Sequence, residues 1–450
     1  MNDRPDYIQD TIVAPATPAG KGGVGIVRIS GPNAETIAIQ VLGKIPRARR
    51  ATTSIFNDQN SLPIDSGIAL YFPAPASFTG ESVLELHAHG GPVIMKMLIE
   101  AATSMGARRA EPGEFSKRAF LNGKLDLVQA EAVADLIDSG TVQAARAAHR
   151  SLQGAFSRRV ENLSELLIKL RLHVEAAIDF PEEEIDFLVD DKLHRKLNEC
   201  EAEIGSLLQV ATSGRILRDG LRFVIVGKPN AGKSSLLNLL SGQEAAIVTE
   251  VAGTTRDIIR EQISIDGLTV ELVDTAGLRN DPDRIEAEGI RRAKDALASA
   301  DAVLWVQDVM DKADDATDGE IPAGIPTIVV RNKIDLCDPA SLPPIDDART
   351  INFSAITGEG LEALQRAITA VAGFEDFGEG ALTARQRHVS AIEEAAQRFA
   401  AGRGALDTDK AGELLAEELR LSQVALGTIT GTFSSDDLLG RIFSEFCIGK

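Results

Sequence analysis

The sequence predicts a multidomain chain, α/β plus all-α: an N-terminal α/β domain, then a central helical domain interrupted by an inserted P-loop domain. Three observations predict it. Residues 221–242, LRFVIVGKPNAGKSSLLNLLSG, read as strand, glycine loop and helix, with the P-loop pattern complete. Helical apolar spacing occurs on both sides of that segment, at 127–178 and again at 389–431. The first 120 residues instead alternate short apolar runs with glycine turns. The expected boundaries are 1–122 for the N-terminal domain, 123–217 with 378–450 for the helical domain, and 218–377 for the insert. Such an insert is tolerated because domain termini often lie close together.

Composition narrows the classes. The chain has 450 residues, 44% of them hydrophobic but only 4% aromatic, so its cores are mainly aliphatic. No apolar run reaches the roughly 18 residues of a membrane span, and MNDRPDYIQDTIVAP has no signal-peptide core. Three scattered cysteines, Cys200, Cys337 and Cys447, make neither a disulfide framework nor a zinc spacing, which points to the reducing cytoplasm. The formal net charge of −20 repels phosphate backbones on average. Any nucleic-acid contact must be local, or made mostly by a partner.

In the N-terminal domain, TIVAPATPAGKGGVGIVRISG (11–31) predicts a strand, a glycine turn and the strand VGIVRIS. SVLELHAHGGPVIMKMLIEAA (82–102) predicts a strand and then a glycine turn opening a helix. GKGGVG is not closed by GK[ST], so it reads as a structural turn rather than a phosphate loop. His87 and His89 alternate on a strand without a third ligand, so they read as packing groups of the strand or a site.

The insert carries the chemistry. In GKPNAGKS (227–234), Gly227 and Gly232 let the backbone turn its N–H groups toward a diphosphate, and the following helix N-terminus adds positive potential. Lys233 reaches the β/γ-phosphates and Ser234 offers its hydroxyl to Mg²⁺; Asn230, Ala231 and Ser235 complete the contacts. LTVELVDTAG (268–277) is an apolar strand ending in D-x-x-G. Its Asp274 would hold Mg²⁺ through water, and the Gly277 N–H, beyond Thr275 and Ala276, would sense the γ-phosphate. In RNKID (331–335), Asp335 accepts from the ring N1–H and amine of guanine, and Asn332 and Lys333 face the base; Ser354 and Ala355 supply a further base loop. Adenine offers Asp335 no such donors, so the nucleotide is GTP.

Two details are unusual. After D-x-x-G, where many small GTPases carry a water-orienting glutamine, stands Leu278. The catalytic polar group must come from elsewhere. Asn230 sits inside the phosphate loop, and EAAIVTEVAGTTRD (244–257) follows with switch threonines. These residues either form an oxygen cage for a cation, acting where other GTPases use an arginine finger, or leave Asn230 merely to brace the loop.

Helical spacing covers 127–178 (Leu127, Ala130, Ala134, Ile137; Val160, Leu163, Leu167, Leu170), 186–210, and 389–431. A last helix, capped by Ser434 with Asp437 three residues on, carries Leu439, Ile442, Phe443 and Phe446 on one face. FCIGK follows it. Cys447 there reads as a small hydrophobe, a reactive thiol or a lipid anchor; the anchor fits badly, because Gly449 is not aliphatic and Lys450 is not a usual terminal residue.

With these GTPase motifs, ATPAGKGGVGIVRISG, SFTGESVLELHAHGGPV, EPGEFSKRAFLNGKLDLVQAEAVADLID, AAIDFPEEEID and TFSSDDLLGRIFSEFCIGK, the chain resembles the MnmE (TrmE) family of tRNA modification GTPases, in the TrmE-Era-EngA-like superfamily. The resemblance implies a homodimer with an N-terminal domain that binds a tetrahydrofolate derivative, 5-formyl- or 5,10-methylene-tetrahydrofolate. It implies a partner, MnmG (GidA), that carries FAD, uses NADH and completes a heterotetramer; the net charge of −20 then predicts that MnmG makes most of the tRNA contact. Together they place a carboxymethylaminomethyl-type group on C5 of the wobble uridine, with GTP hydrolysis that depends on Mg²⁺ and K⁺. Residue by residue, Asn230, Thr249, Val251 and Thr254 match the potassium loop, with Glu250, Ala252 and Gly253 also at the nucleotide. Ser234 and Thr255 match the Mg²⁺ ligands, and Glu286 the glutamate that orients water beside catalytic Lys233. Arg28, Glu85, Lys124 and Lys450 match the folate positions, and Cys447 becomes a candidate catalytic thiol. The rivals are a ribosome-assembly or signalling GTPase, and a folate-dependent one-carbon transferase whose GTPase is regulatory.

Overall fold

A computed structural model describes residues 10–179, 191–243, 260–265, 267–274, 297, 300–311, 321, 324–338, 342, 344–345, 347–371, 380–432, 436–444, 446–447 and 449. The chain forms two compact units: 1–134, 151–188 and 401–450; and 135–150 with 189–400.

The first unit is built on six strands: β1 (Ile12–Pro15), β2 (Gly22–Ser30), β3 (Thr52–Asn57), β4 (Pro63–Phe72), β5 (Val83–Gly90) and β6 (Arg108–Arg109). Their order is β3-β4-β5-β2-β1-β6. All neighbours are antiparallel except β1 and β6. Successive side chains on a strand point to opposite faces. Val27, Ile29, Leu84 and Leu86 therefore share the face that packs on helices Ala34–Leu42 and Pro92–Ser104, through Ile37, Val41, Leu98 and Ala102. Arg28 and Glu85, one residue out of phase, are left for the other face. Helices Ala155–Asp179 and Gly412–Thr430 pack along each other. The helix Asp436–Ser444 buries Leu439, Ile442 and Phe443, and Phe446 just past its end joins them, against Leu127 and Ala130, so the apolar face expected from the sequence is docked. The Phe443 ring lies 6.5 Å from Phe120 and 5.4 Å from Phe446, and tilted aromatic pairs of this kind add about 0.5–1.5 kcal/mol beyond area burial. Ser434, expected to cap this helix, lies outside the described residues.

The second unit holds the other sheet: β7 (Leu221–Val226), β8 (Arg260–Ile265), β9 (Leu268–Asp274), β10 (Ala302–Asp308), β11 (Thr327–Asn332) and β12 (Thr350–Asn352). Its order is β12-β11-β10-β7-β9-β8, and only β8 runs antiparallel to its neighbour. Parallel strands are buried on both faces, which explains why LRFVIV and AVLWVQ are nearly continuous apolar runs. Phe223, Ile225, Leu304 and Val330 meet Leu236 and Leu240 of helix Lys233–Gln243, and Leu364 and Ile368 of helix Leu361–Val371. The strand order reverses at β7, so the loop leaving β7 opens into a crevice at a topological switch point. The long helix Asp191–Asp219 enters β7 through Gly220, at φ 78°. Buried Asp135 accepts hydrogen bonds from Arg218 (2.7 Å) and Arg385 (2.8 Å), tying residues far apart in sequence.

Candidate functional site

The phosphate loop spans 227–232. Gly227 takes φ 148°, and an added Cβ would lie 2.1 Å from the Val306 carbonyl oxygen of β10. Gly232 takes φ 97°, with an added Cβ only 2.1 Å from Asn332 Nδ2. Asn230 is left-handed at φ 66°, which asparagine tolerates better than most residues. Lys233 opens the helix and folds back: its Nζ donates to the carbonyls of Gly227 (2.9 Å) and Lys228 (2.7 Å). The ammonium is thus held inside the loop's own concavity, where a diphosphate fits. Ser234 and Ser235 follow in the helix's first turn.

Asn332 ends β11 and is only 2% exposed. Its Nδ2 donates to the Ala231 carbonyl (2.9 Å) and its Oδ1 accepts the Ala355 N–H (3.0 Å). This one amide ties the phosphate loop to the base loop. Lys333 is left-handed at φ 69°, and its Nζ donates to Asp308 Oδ2 at 2.6 Å. Asp308 ends β10, in register with Asn332. Burial opposes ionisation of Asp308, but Lys333 and the Met310 N–H outweigh it and hold its carboxyl below the usual range. Asp335, in the 3-10 turn Ile334–Leu336, accepts the Ser354 hydroxyl at 2.6 Å on Oδ1. Ser354 also accepts the N–H groups of Ile356 and Thr357. The carboxylate is therefore fixed by a loop that is itself fixed.

A second polar site lies on the other face of the N-terminal sheet, beside buried Phe115. Arg28 and Glu85 stand opposite each other on β2 and β5 and are joined at 2.8 Å. Glu85 Oε2 also meets His87 Nε2 at 3.3 Å. The Arg28 guanidinium carbon lies 5.7 Å from the Phe78 ring centre and 5.8 Å from Phe115. Its Nη1 donates to the Gly449 carbonyl at 3.5 Å. The Cys447 carbonyl accepts the Gly113 N–H at 3.4 Å, leaving the Cys447 side chain exposed beyond buried Phe446. Lys124 is exposed and flanks Gly80, two residues from Phe78. So Arg28, Glu85 and the tail come together, with Lys124 beside the same loop. His89 is elsewhere, bonded to Asp65.

Thr249 through Thr255, Thr275, Ala276, Gly277, Glu286 and Lys450 lie outside the described residues, as does the side chain of Asp274. Among the described residues, no cluster of three or more His, Cys, Asp or Glu could hold a metal, and no helix is long and apolar enough to cross a membrane.

Sequence reasoning missed one buried network. Arg118, 1% exposed, donates to Asp10 (2.6 Å), Glu81 (3.1 Å) and Glu114 (2.9 Å). Arg108 shares Asp10 and Glu114, and Ser30 donates to Glu81 at 2.6 Å. Ser30 also meets the Thr79 hydroxyl at 2.7 Å, which joins this network to the Phe78–Gly80 loop. The only sequence signal was an arginine four residues after a glutamate on a short helix.

The chain is similar to known proteins over nearly its whole length. The family model "GTP-binding protein TrmE N-terminus" matches residues 11–124, and "MnmE helical domain" matches 127–447. The "tRNA modification GTPase MnmE" of Methylococcus capsulatus is 54% identical over 444 residues, covering 98% of this chain and 99% of its own. That of Pseudomonas syringae pv. syringae is 53% identical over 454 residues, with the same coverages. Identity at this level over the whole length settles kinship: the chain belongs to the MnmE (TrmE) family of tRNA modification GTPases.

Proposed function

We propose that this chain is a potassium-dependent GTP hydrolase that, with the FAD-carrying partner MnmG, modifies C5 of the wobble uridine of certain tRNAs using a tetrahydrofolate one-carbon unit. It works as a cytoplasmic homodimer within a heterotetramer. The observation that carries the reading is the meeting of Arg28, Glu85 and the Gly449 carbonyl on one sheet face, with Cys447 exposed nearby. A guanidinium and a carboxylate side by side suit the amide edge of a pterin, and exposed Lys124 beside the same loop suits a glutamate tail.

In the nucleotide site, Asp335 reads the guanine edge and Lys233 matches phosphate charge. Mg²⁺ would be held by Ser234 and Thr255, and K⁺ by Asn230, Thr249, Val251 and Thr254. These cations supply charge neutralisation when bound. The donors are oxygens, as hard cations require. Glu286 takes the water-orienting role that Leu278 cannot.

The decisive experiment deletes the gene and analyses tRNA nucleosides by mass spectrometry. Loss of the wobble modification is expected, and unchanged wobble uridines would overturn the proposal. GTP hydrolysis in K⁺ and in Na⁺ tests the cation cage, which equal rates would remove.

A further inference from the structure

The basic segment Lys44–Arg50 has no part in either site described. GKIPRARR, residues 43–50, puts Lys44, Arg47, Arg49 and Arg50 within seven residues and no acid among them, on a chain of net charge −20. The segment is built rather than loose. Pro46 is buried, and Ala48 bridges Tyr71 of β4. Arg49 is left-handed at φ 58° and its N–H donates to the Tyr71 carbonyl at 2.8 Å. The Arg50 N–H donates to the Arg47 carbonyl at 3.1 Å. With the backbone pinned this way, Lys44, Arg47 and Arg50 are exposed and make no ion pair among the described residues. Glu35, the nearest acid before the segment, is engaged by the Tyr71 hydroxyl, and Asp58, the nearest after it, accepts the Asn60 and Leu62 N–H groups.

The segment also borders the N-terminal site. The Arg49 guanidinium donates to the Ala76 carbonyl at 2.5 Å, in the loop that carries Phe78 beside Arg28. Unpaired cations held on a fixed backbone fit phosphate groups, and guanidinium matches phosphate geometry especially well. A tRNA whose wobble base reaches a folate held at the Arg28–Glu85 site must lay its backbone across neighbouring surface. On an acidic chain, few surfaces attract it.

We propose that Lys44, Arg47 and Arg50 contact the phosphate backbone of the substrate tRNA next to the N-terminal site. This rests on the proposed tRNA function. The test measures binding of bulk tRNA, purified from a gene-deletion strain, to the full-length chain across a salt series starting near 50 mM, where phosphate contacts are strongest. Each phosphate contact contributes about 0.9 to the log–log salt slope, so K44A/R47A/R50A should lower the slope by about 2 to 3 and weaken binding severalfold at low salt. The charge-preserving variant R47K/R50K should keep the slope, and GTP hydrolysis should not change in either.

An unchanged slope in the alanine variant overturns the inference, as does absence of binding by the unaltered chain at low salt. So does normal tRNA binding combined with lost capture of the partner protein, which would reassign the patch to an acidic protein surface. The wobble-nucleoside profile of the deletion strain keeps the two claims apart. A wild-type profile there defeats the tRNA function itself, whereas a changed profile with an unchanged slope defeats only this contact.

Discussion

Gly449 lies against Pro15 of β1 so closely that an added Cβ would stand 1.9 Å from the Pro15 carbonyl oxygen. Gly449 also takes φ 97°, where an L side chain is strained. This contact seats the tail so that its carbonyl meets Arg28. Gly449→Ala puts a methyl group into backbone that cannot give, at a cost of about 2 kcal/mol or more. We expect wobble modification in a complemented deletion strain to fall at least about tenfold, a factor that needs only ~1.4 kcal/mol. GTP hydrolysis by the purified chain should stay normal, since the tail belongs to the other compact unit. A normal nucleoside profile would mean that the seating does not matter for the chemistry.

Asp308 positions the base-side lysine. Losing its charge leaves the Lys333 Nζ without the 2.6 Å ion pair, although both groups are partly exposed and water makes up much of the difference. Asp308→Asn should therefore speed release of a fluorescent GDP by about threefold to fivefold, or under ~1 kcal/mol. The carboxyl is held below its usual range, so it stays ionised from pH 6 to 8 and the wild-type release rate should be flat there. Stopped-flow traces that match for the two proteins would reject the positioning role.

Two glycines near the phosphate loop make a paired test. At Gly232 a methyl group meets Asn332 Nδ2 at 2.1 Å, so Gly232→Ala must push away the amide that ties Ala231 to Ala355. GDP affinity should fall at least about tenfold, given the usual ~1–3 kcal/mol cost of a strained backbone alone. At Gly242, in the helix that follows the loop, an added Cβ meets nothing within 4 Å. Gly242→Ala should keep full affinity and gain about 0.5–1 kcal/mol of helix stability. Isothermal titration with GDP separates the cases; equal losses in both would show that the Asn332 tie carries no weight.

Much of this architecture was legible because it follows from local rules. The run at 222–226, the glycine loop and the helix after it are each specified by neighbours in sequence, and they fold as the P-loop pattern requires. The apolar face of the last helix was legible from 3–4 spacing alone, and Leu439, Ile442, Phe443 and Phe446 are buried. The Arg28–Glu85 pair was not legible from the residues: its partners are 57 positions apart and meet only through strand register. The Arg118 network was hidden for the same reason, since Asp10, Glu81 and Glu114 reach it from three separate segments. Asn332 could be assigned to the base from its motif. That its amide also braces the phosphate loop depends on tertiary distance.

The Arg118 network makes the N-terminal unit acid-sensitive. Burial opposes ionisation of Asp10 and Glu114, but hydrogen bonds and charge from Arg108 and Arg118 outweigh it, so both carboxyls titrate below their ordinary values of 3.8 and 4.5. The unfolded chain therefore binds protons at higher pH than the folded one. The stability these groups contribute is complete above their ordinary values and is lost as pH falls through the lower folded values. Arg118→Met keeps the volume but leaves Glu81 without its arginine, and Asp10 and Glu114 with Arg108 alone, around a 1% exposed site. Breaking a buried charge cluster this way costs about 3–5 kcal/mol at neutral pH. The same change should flatten the pH response, because fewer ion pairs remain to be lost on protonation while Arg108 still holds Asp10 and Glu114. Urea unfolding of the full chain, followed through a probe in the N-terminal unit, should show the variant much weaker than wild type at pH 7, with the gap narrowing toward pH 4. A constant gap across that range would assign Arg118 a packing role and take the acid sensitivity away from this network.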